Sequence, residues 1–344
     1  MLYNLISILR WGCIMNNMCL ISDIGGTNIR LAIADKKLKD YHLLKTYRCD
    51  EFETIKDAIQ NYLNSIPTEF HPNQAILAIA AAISSDHISM TNHNWSFSIS
   101  ELTKELNFNK IEVINDFEAQ AHSVPFLKKD KDVDCIIKAK NVNSKFQNLV
   151  IAGSGTGLGT SLLFSNNSKY QVMPTECGHS MMGAYNNKEQ AIFNYFTNKN
   201  QSNSYAEAFL SGKGIINIYN ALSQLKGLET QENISSEFIF KIALEDFKKQ
   251  KSSIYFETME TFCELLGTYI ANLALTFLPK EIYLTGGILP SILPYLKNGS
   301  FNQRFYDKKL PTIKEILNSI SVYLIVKENP AMLGLTNYFF KSQK

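Results

Sequence analysis

The sequence predicts an α/β protein whose mixed sheets carry flanking helices. Two glycine-rich turns, within 23–28 and 153–159, each lie between apolar stretches that are too short for ordinary helices. A glycine turn between two such stretches is typical of neighbouring antiparallel strands. Apolar stretches of strand length then alternate with segments of helical periodicity, and this alternation indicates an α/β fold.

The length, net charge and cysteine content limit the classes of protein to which this chain can belong. At 344 residues the chain is long enough for one or two domains with a sizeable core. Its net charge is +2 and no basic stretch is clustered, so nucleic-acid binding is unsupported. The six cysteines form no CxxC pair, which disfavours a zinc ribbon or a disulfide framework and indicates a reducing cytoplasm.

The N-terminal segment does not fit the rest of the chain. Its apolar stretches, 5–9 and 11–15, are separated by Arg10 and are together too short for a membrane span, and a signal peptide fits poorly. We expect 1–18 to be a disordered or non-native extension, with translation starting at Met15 or Met18. An intact mass of the natural protein corresponding to Met1 would contradict this.

The first glycine turn lies in the motif Asp23-Ile24-Gly25-Gly26-Thr27-Asn28. The two glycines allow backbone N–H groups to approach a phosphate closely, and the threonine and asparagine add side-chain donors. Asp23 offers a carboxylate to a hydrated magnesium ion. An ordinary hairpin turn is the alternative that this motif alone leaves open.

Two further turns follow. Gly153-Ser154-Gly155-Thr156-Gly157-Leu158-Gly159 has four glycines in seven residues, which suits a backbone cradle for anions. Thr285-Gly286-Gly287 follows a predicted strand and precedes a predicted helix. Three glycine turns, each at a strand end, predict a nucleotide held from several sides.

Periodicity predicts the remaining elements. The predicted strands are 75–83, 111–114, 281–284 and 321–326. The predicted helices are 54–66, 100–106, 117–123, 189–196, 215–225, 237–248, 254–276 and one after Pro330. The polar segment 128–147 predicts a boundary between two domains, and the long helix 254–276 is expected to cross the core of the second.

The motifs resemble the bacterial glucokinases of the sugar kinase/hexokinase/actin-like ATPase superfamily, from about Leu20 to about Gly334. The turns resemble, in order, that family's two phosphate motifs and its adenosine motif. The segments 90–98, 114–119, 176–179, 205–212 and 330–334 are also similar. The resemblance implies a two-domain actin-like ATPase (ribonuclease H-like) fold with an interdomain cleft, a small domain of 19–126 plus 328–344, and a large domain of 127–327.

The resemblance also implies the reaction, which is ATP-dependent phosphorylation of D-glucose to glucose 6-phosphate with Mg²⁺, by a cytoplasmic glycolytic homodimer. A kinase for mannose or an N-acetylhexosamine is one alternative, and a non-catalytic sugar-sensing relative is another. The residues implied for the nucleotide are Asp23 (through magnesium), Gly25, Gly26, Thr27, Asn28, Gly155, Thr156, Gly157, Gly286 and Gly287.

Asp116 is the candidate general base. It follows the predicted strand 111–114, so its side chain is expected at a strand's carboxyl end, where open α/β sheets bind ligands. The position of the carboxylate matters more than its basicity, because the proton of the attacking hydroxyl leaves late in a loose phosphoryl-transfer transition state. The alternative on local sequence is that Asp116 is the N-cap of the following helix.

The resemblance implies that Asn115, Asp116, Glu176, His179 and Glu207 bind the sugar. In a helix or tight turn, residues three apart share a face, so Glu176 and His179 would act together. A carboxylate accepts from two hydroxyls, and an imidazole donates or accepts. The alternatives for this pair are an exposed surface pair or a zinc site, and the latter is disfavoured because only one cysteine is nearby.

The chain departs from the glucokinase pattern at four single positions and in the segment 180–184, which lacks the usual aromatic-Ala-Pro. Ala82 and Lys213 stand where proline is usual, Cys177 stands where glycine is usual, and Ser291 replaces a common arginine. Each lost proline is expected to loosen a loop by roughly 0.4–1 kcal/mol through the unfolded state. A contact from Lys213 to a phosphate is an alternative role for that residue.

Overall fold

A computed structural model describes residues 17–341, except 82, 91, 92, 142, 144, 167, 168 and 232, and except the side chains of 166 and 169. Ala82 therefore lies outside the described residues. So does the predicted extension, apart from Asn17 and Met18, and Met18 is the buried first residue of the first strand. Among the described residues, no helix combines the length and apolar character needed to cross a membrane.

The described strands are β1 Met18–Ile24, β2 Asn28–Asp35, β3 Asp40–Arg48, β4 Gln74–Ile79, β5 His87–Ser89, β6 Ser96–Ser98, β7 Lys110–Asn115, β8 Val133–Ile137, β9 Leu149–Ser154, β10 Leu158–Asn166, β11 Lys169–Thr175, β12 Glu281–Thr285 and β13 Ser321–Ile325. The described helices are α1 Ile55–Asn64, α2 Ile99–Glu105, α3 Asp116–Ser123, α4 Asn187–Asn200, α5 Gly212–Leu225, α6 Ser236–Lys248, α7 Ile254–Phe277, α8 Ile288–Ser291, α9 Leu293–Lys297, α10 Ser300–Tyr306, α11 Pro311–Asn318 and α12 Pro330–Lys341.

The chain divides into two compact units. The first runs to Leu127 and resumes at Lys327, and the second is Lys128–Val326. The sheet of the first unit has the order β3-β2-β1-β4-β7, with β1 and β2 antiparallel and β4 and β7 parallel to β1. The predicted first hairpin is confirmed.

Alternation along β1 explains how this sheet is covered on both faces. Leu20 and Ile24 pack into one buried cluster with α1 and α2, whereas Cys19 and Ile21 pack into another with α3 and α12. Successive side chains of a strand point to opposite faces, so an almost fully apolar strand indicates a sheet covered on both sides. α1 begins at a capping box between Thr54 and Asp57.

The sheet of the second unit has the order β11-β10-β9-β12-β13-β8. It repeats the plan of the first, because the antiparallel hairpin β9–β10 is followed by β12, which is parallel to β9. The segment 128–147, predicted to hold a boundary between domains, begins where the second unit begins, at Lys128, and it contains the edge strand β8, which was not predicted. The strand was not predicted because charged residues flank it on both sides, although its Val133, Ile136 and Ile137 are buried.

Helix α7 crosses the core of the second unit, as the sequence predicts. Met259, Phe262, Leu266 and Ile270 are buried along its length. Its Gly267 allows close packing of α10, because a Cβ atom there would lie 2.6 Å from the Phe301 carbonyl oxygen.

Candidate active site

The first glycine turn is tied down by a residue outside the motif. The Cys49 N–H donates to the Thr27 carbonyl at 2.9 Å, and its thiol donates to the Gly25 carbonyl with an Sγ–O distance of 3.4 Å. Burial raises the pKa of the Cys49 thiol to about 11, so the sulfur keeps its donor proton at neutral pH. Nothing in the motif itself indicated Cys49.

Asp23, predicted to hold magnesium through water, has a cationic partner. Arg30 lies directly opposite it in the hairpin register, and Arg30 Nη1 is 3.1 Å from Asp23 Oδ2. Burial raises the pKa of Asp23, and the guanidinium opposes that rise. Arg30 was not predicted, although the turn pairs Ile24 with Ile29 and therefore places residue 30 opposite residue 23.

The first turn and Asp116 lie at the same edge of one sheet. In the parallel register of β1, β4 and β7, Ile24 is opposite Ile79, and Ile79 is opposite Asn115. All three strands end at this edge, and Asp116 is the residue after β7. Two strand spacings separate β1 from β7, roughly 10 Å.

Asn115, and not Asp116, is the N-cap of α3. Asn115 Oδ1 accepts from the N–H groups of Phe117 at 2.9 Å and Glu118 at 3.3 Å, so the alternative of Asp116 as the cap was wrong. Asn115 Nδ2 donates to the Ala81 carbonyl at 3.3 Å, and the same amide nitrogen carries a second N–H donor. Asp116 is half-buried at the first helical position, where its Oδ1 accepts from the Phe117 N–H at 3.0 Å.

The position of α3 is set by α12. A Cβ atom on Gly334 would lie 1.7 Å from the Ala119 carbonyl oxygen, so the two helices touch backbone to backbone. Met332 and Leu335 are fully buried in the same contact layer. The segment 330–334, which resembles the glucokinase tail motif, therefore supports the helix that begins at Asp116.

In the second unit, two of the three glycine turns meet. β9 and β12 are neighbouring parallel strands in which Gly153 is opposite Thr285. Gly286 has φ +101°, and a Cβ atom there would lie 2.2 Å from the Ser154 carbonyl oxygen. Only glycine fits both that conformation and that approach. The second glycine turn, predicted to bind phosphate, and the third, predicted to bind adenosine, therefore form one backbone surface.

The second glycine turn is also joined to helix α5. The Gly155 N–H donates to the Gly157 carbonyl at 2.9 Å, which closes the turn and leaves Thr156 exposed at its tip. The Gly155 carbonyl accepts from the Gly212 N–H at 2.9 Å. Lys213 follows as the exposed second residue of α5. Ser291, another departure, lies exposed at the end of α8.

The predicted sugar ligands of the second unit lie on two segments that pair through their backbones. The Ala206 N–H donates to the Ser180 carbonyl at 2.9 Å, and the Met182 N–H donates to the Ser204 carbonyl at 3.0 Å. These bonds place the segment of Glu207 beside the segment that carries Glu176 and His179. Gly178 lies against β10, since a Cβ atom there would be 2.1 Å from the Leu158 carbonyl oxygen.

Glu176 and His179 form a solvent-exposed pair. Glu176 Oε2 is 3.9 Å from His179 Nε2, and their side chains are 67% and 59% exposed. The imidazole stacks on Tyr205 at a centroid distance of 5.7 Å. In the part of the chain that the structure describes, no group of three or more His, Cys, Asp or Glu residues is placed to hold a metal ion.

Comparison with known proteins decides the family. A family model described as Glucokinase matches residues 20–342. A glucokinase of Helicobacter pylori (strain J99) is 36% identical over 335 residues, which cover 93% of this chain and 96% of the relative. The chain belongs to the glucokinase family.

Solved glucokinases share the fold. A glucokinase from an Antarctic psychrotroph superimposes with a TM-score of 0.77 at 26% identity, covering 95% of this chain and 99% of that one. A Balamuthia mandrillaris glucokinase in complex with glucose gives 0.76 at 21% identity, covering 97% and 98%. The predicted family and actin-like α/β fold are confirmed, and this glucokinase-family chain is a sugar kinase.

Proposed function

We propose that this chain transfers the terminal phosphoryl group of ATP to the primary hydroxyl of D-glucose, with Asp116 as the general base. One observation carries the assignment of Asp116. It lies at the same sheet edge as the first glycine turn, two strands away. A carboxylate near a phosphate-binding turn can accept a proton from an alcohol that attacks the phosphate.

The chemical step conserves every atom. The sugar hydroxyl oxygen forms a bond to the terminal phosphorus of ATP as the bond from that phosphorus to the bridging oxygen breaks. The hydroxyl proton passes to the Asp116 carboxylate, and ADP carries away the bridging oxygen. Since the transition state is loose, holding the oxygen in line contributes more than the basicity of the carboxylate.

The remaining hydroxyls of the sugar would bind to Glu176, His179, Glu207 and the second Nδ2 proton of Asn115. Carboxylates accept from sugar hydroxyls, and the Asn115 amide donates to one. A sugar that lacks one of these hydroxyls leaves a polar group of the site without a hydrogen-bond partner. Binding of that sugar is therefore strongly disfavoured. This arrangement supports a hexose with free hydroxyls as the acceptor.

The nucleotide would bind to the three glycine turns, that is, to Gly25, Gly26, Thr27, Asn28, Gly155, Thr156, Gly157, Gly286 and Gly287. The donor set fits magnesium, because Mg²⁺ in kinases is commonly held by one or two carboxylates together with substrate phosphates. Asp23 supplies such a carboxylate, fixed in place by Arg30. Magnesium bound there would neutralise charge that develops on the phosphates.

The same family resemblance supports a homodimer that works in the cytoplasm in glycolysis. It also supports a small domain of 19–126 plus 328–344 and a large domain of 127–327. Light scattering coupled to size-exclusion chromatography tests the dimer, for which a mass near twice 39.0 kDa is expected.

A coupled assay that detects ADP tests the function. We expect phosphorylation of glucose that requires both ATP and magnesium. A panel with mannose and N-acetylhexosamines tests the choice of sugar, and an equal or higher rate on an acetylated sugar would contradict the assignment to glucose. Glucose binding without ADP formation would instead indicate a non-catalytic sugar sensor.

A further inference from the structure

The carboxylate of Glu207 contacts the turn that carries Thr156. Its Oε2 atom accepts a hydrogen bond from the Leu158 N–H at 2.8 Å, and Leu158 is the first residue of β10 after the turn. A Cβ atom on Gly157 would lie 2.6 Å from the same oxygen. The carboxylate therefore packs directly on the backbone of the second phosphate turn.

The two carboxylate oxygens of Glu207 are not equivalent. Oε2 is in contact with the turn, whereas Oε1 lies farther away, 3.9 Å from the Cβ position of Gly157. A carboxylate has about four acceptor positions on its two oxygens, so one oxygen can bind a ligand while the other keeps its protein partner. The geometry therefore allows one side chain to serve two binding sites.

We propose that Glu207 is a positioning residue for the nucleotide in addition to a ligand of the sugar. Oε2 holds the Gly157–Leu158 side of the turn in its phosphate-binding conformation, and Oε1 receives a sugar hydroxyl. The sugar role rests on the proposed function. The role toward the turn rests on the contacts of Leu158 and Gly157 alone.

The other side of the turn is already held by backbone bonds. Gly155 is bonded to Gly157 within the turn and to Gly212 at the start of α5. Glu207 adds a hydrogen bond from the Leu158 N–H on the opposite side of the turn. A turn that is ordered before binding avoids the entropic cost of becoming ordered during binding. Removing the contact with Glu207 is therefore expected to weaken nucleotide affinity.

The charge of Glu207 acts in the opposite direction from its hydrogen bond. A carboxylate beside a bound polyphosphate repels it, whereas the bond to Leu158 favours the binding conformation. Glu207→Gln keeps an acceptor oxygen and removes the charge. Glu207→Ala removes both, so the two variants separate the effects.

The test is isothermal titration with magnesium-ADP in the absence of sugar. We expect Glu207→Ala to bind ADP about tenfold more weakly, the effect of one lost charge-assisted hydrogen bond. Glu207→Gln is expected to bind ADP as tightly as the wild type or more tightly. Wild-type affinity in Glu207→Ala, or equal weakening in both variants, would overturn the proposal.

Glu176→Ala is the matched control. Glu176 is an exposed carboxylate on the neighbouring segment, paired with His179, so ADP affinity without sugar is expected to stay at the wild-type value while glucose binding weakens. Weakening of ADP binding in Glu176→Ala by the same factor would also overturn the proposal, because the effect would then not depend on the contact with the turn.

Two further measurements distinguish loss of the contact with the turn from unfolding and from failure of the proposed function. Thermal melting shows whether Glu207→Ala is folded, and if it is not, Glu207→Asp replaces it, since the shorter side chain keeps the charge but draws the carboxylate away from the Leu158 N–H. Glu207→Asp is then expected to lose ADP affinity to a similar degree, and unchanged affinity would overturn the proposal. If the wild type fails to phosphorylate glucose, the proposed function fails, but the ADP result without sugar still decides the role toward the turn.

Discussion

Arg30 Nη1 lies 3.1 Å from Asp23 Oδ2, across the hairpin that carries the first glycine turn. The contact gives the half-buried carboxylate a compensating charge at a position where the sequence predicts a ligand for hydrated magnesium. The two roles are compatible, because one carboxylate can accept from a guanidinium and from metal-bound water at different lone pairs. Arg30 therefore fixes the orientation of Asp23 before any nucleotide binds.

Arg30→Ala is expected to lower the free energy of unfolding by about 1–3 kcal/mol at pH 7, because it leaves a half-buried carboxylate without its partner. Without the guanidinium, burial raises the pKa of Asp23 further. The folded state then binds a proton more readily than the unfolded state, so the loss should shrink as the pH falls toward 4. Urea unfolding at pH 7 and pH 4.5 measures both values.

Arg48→Ala is the control for Arg30→Ala. Arg48 pairs with Asp50 at 2.6 Å, but both side chains are more than half exposed. Exposed ion pairs contribute about 0–1 kcal/mol, so little change is expected. Equal losses in the two variants would contradict a special role for the Asp23–Arg30 pair.

Gly334→Ala is expected to lower both stability and turnover. Its Cβ atom would lie 1.7 Å from the Ala119 carbonyl oxygen, so α12 and α3 must separate. Overpacking of this kind commonly costs about 1–3 kcal/mol. Because α3 begins at Asp116, kcat should fall in the fraction that remains folded. Denaturant unfolding and the coupled assay measure the two effects.

Gly183→Ala provides the comparison for Gly334→Ala. A Cβ atom on Gly183 has no neighbouring atom within 4 Å, so the change is expected to stay within about 0.5 kcal/mol. Unaltered stability in Gly334→Ala would show that the two helices can adjust without cost.

His122 makes the stability of the first unit depend on pH. Burial lowers its pKa to about 4, with Lys341 acting in the same direction, while Glu118 lies 3.9 Å from its Nε2 atom and the Tyr338 ring packs against it. The unfolded state binds more protons between pH 4 and 6.5, so stability rises with pH across that range. Lowering the pH from 7 to 5 should cost about 2 kcal/mol through this group.

Urea unfolding at pH 7 and pH 5 gives the free energy of unfolding that is lost on acidification. The contribution of His122 is the difference in this loss between the wild type and His122→Gln. The variant should lose less stability on acidification. His87→Gln, which changes an exposed histidine, is expected to keep the wild-type pH dependence. An identical loss of stability on acidification in the wild type and His122→Gln would rule out the half-buried imidazole as its source.

The hairpins and long helices could be predicted because their signals are local. A glycine turn between two short apolar stretches fixes both the strands and their pairing, and α7 carries buried residues at helical spacing over 24 residues. β8 was missed because a short strand with exposed Cys135 between buried residues resembles its charged surroundings. Short edge strands give weak periodicity.

The choice between Asn115 and Asp116 as the cap shows where local sequence is insufficient. Both residue types cap helices well, and the end of β7 decides which of them does. The contacts of Gly334 with Ala119 and of Glu207 with Leu158 join distant parts of the chain. A single sequence carries no signal for such pairs, although the hairpin register would have identified Arg30.

The most direct test of the account is the turnover of Asp116→Asn in the ATP-dependent glucose assay. The amide keeps the size of the side chain and cannot take the hydroxyl proton, so we predict normal folding and a kcat lower by about 10²–10⁴-fold. Asp50→Asn, the same chemical change at an exposed carboxylate, should keep wild-type turnover. Wild-type kcat in Asp116→Asn would contradict the assignment of the base.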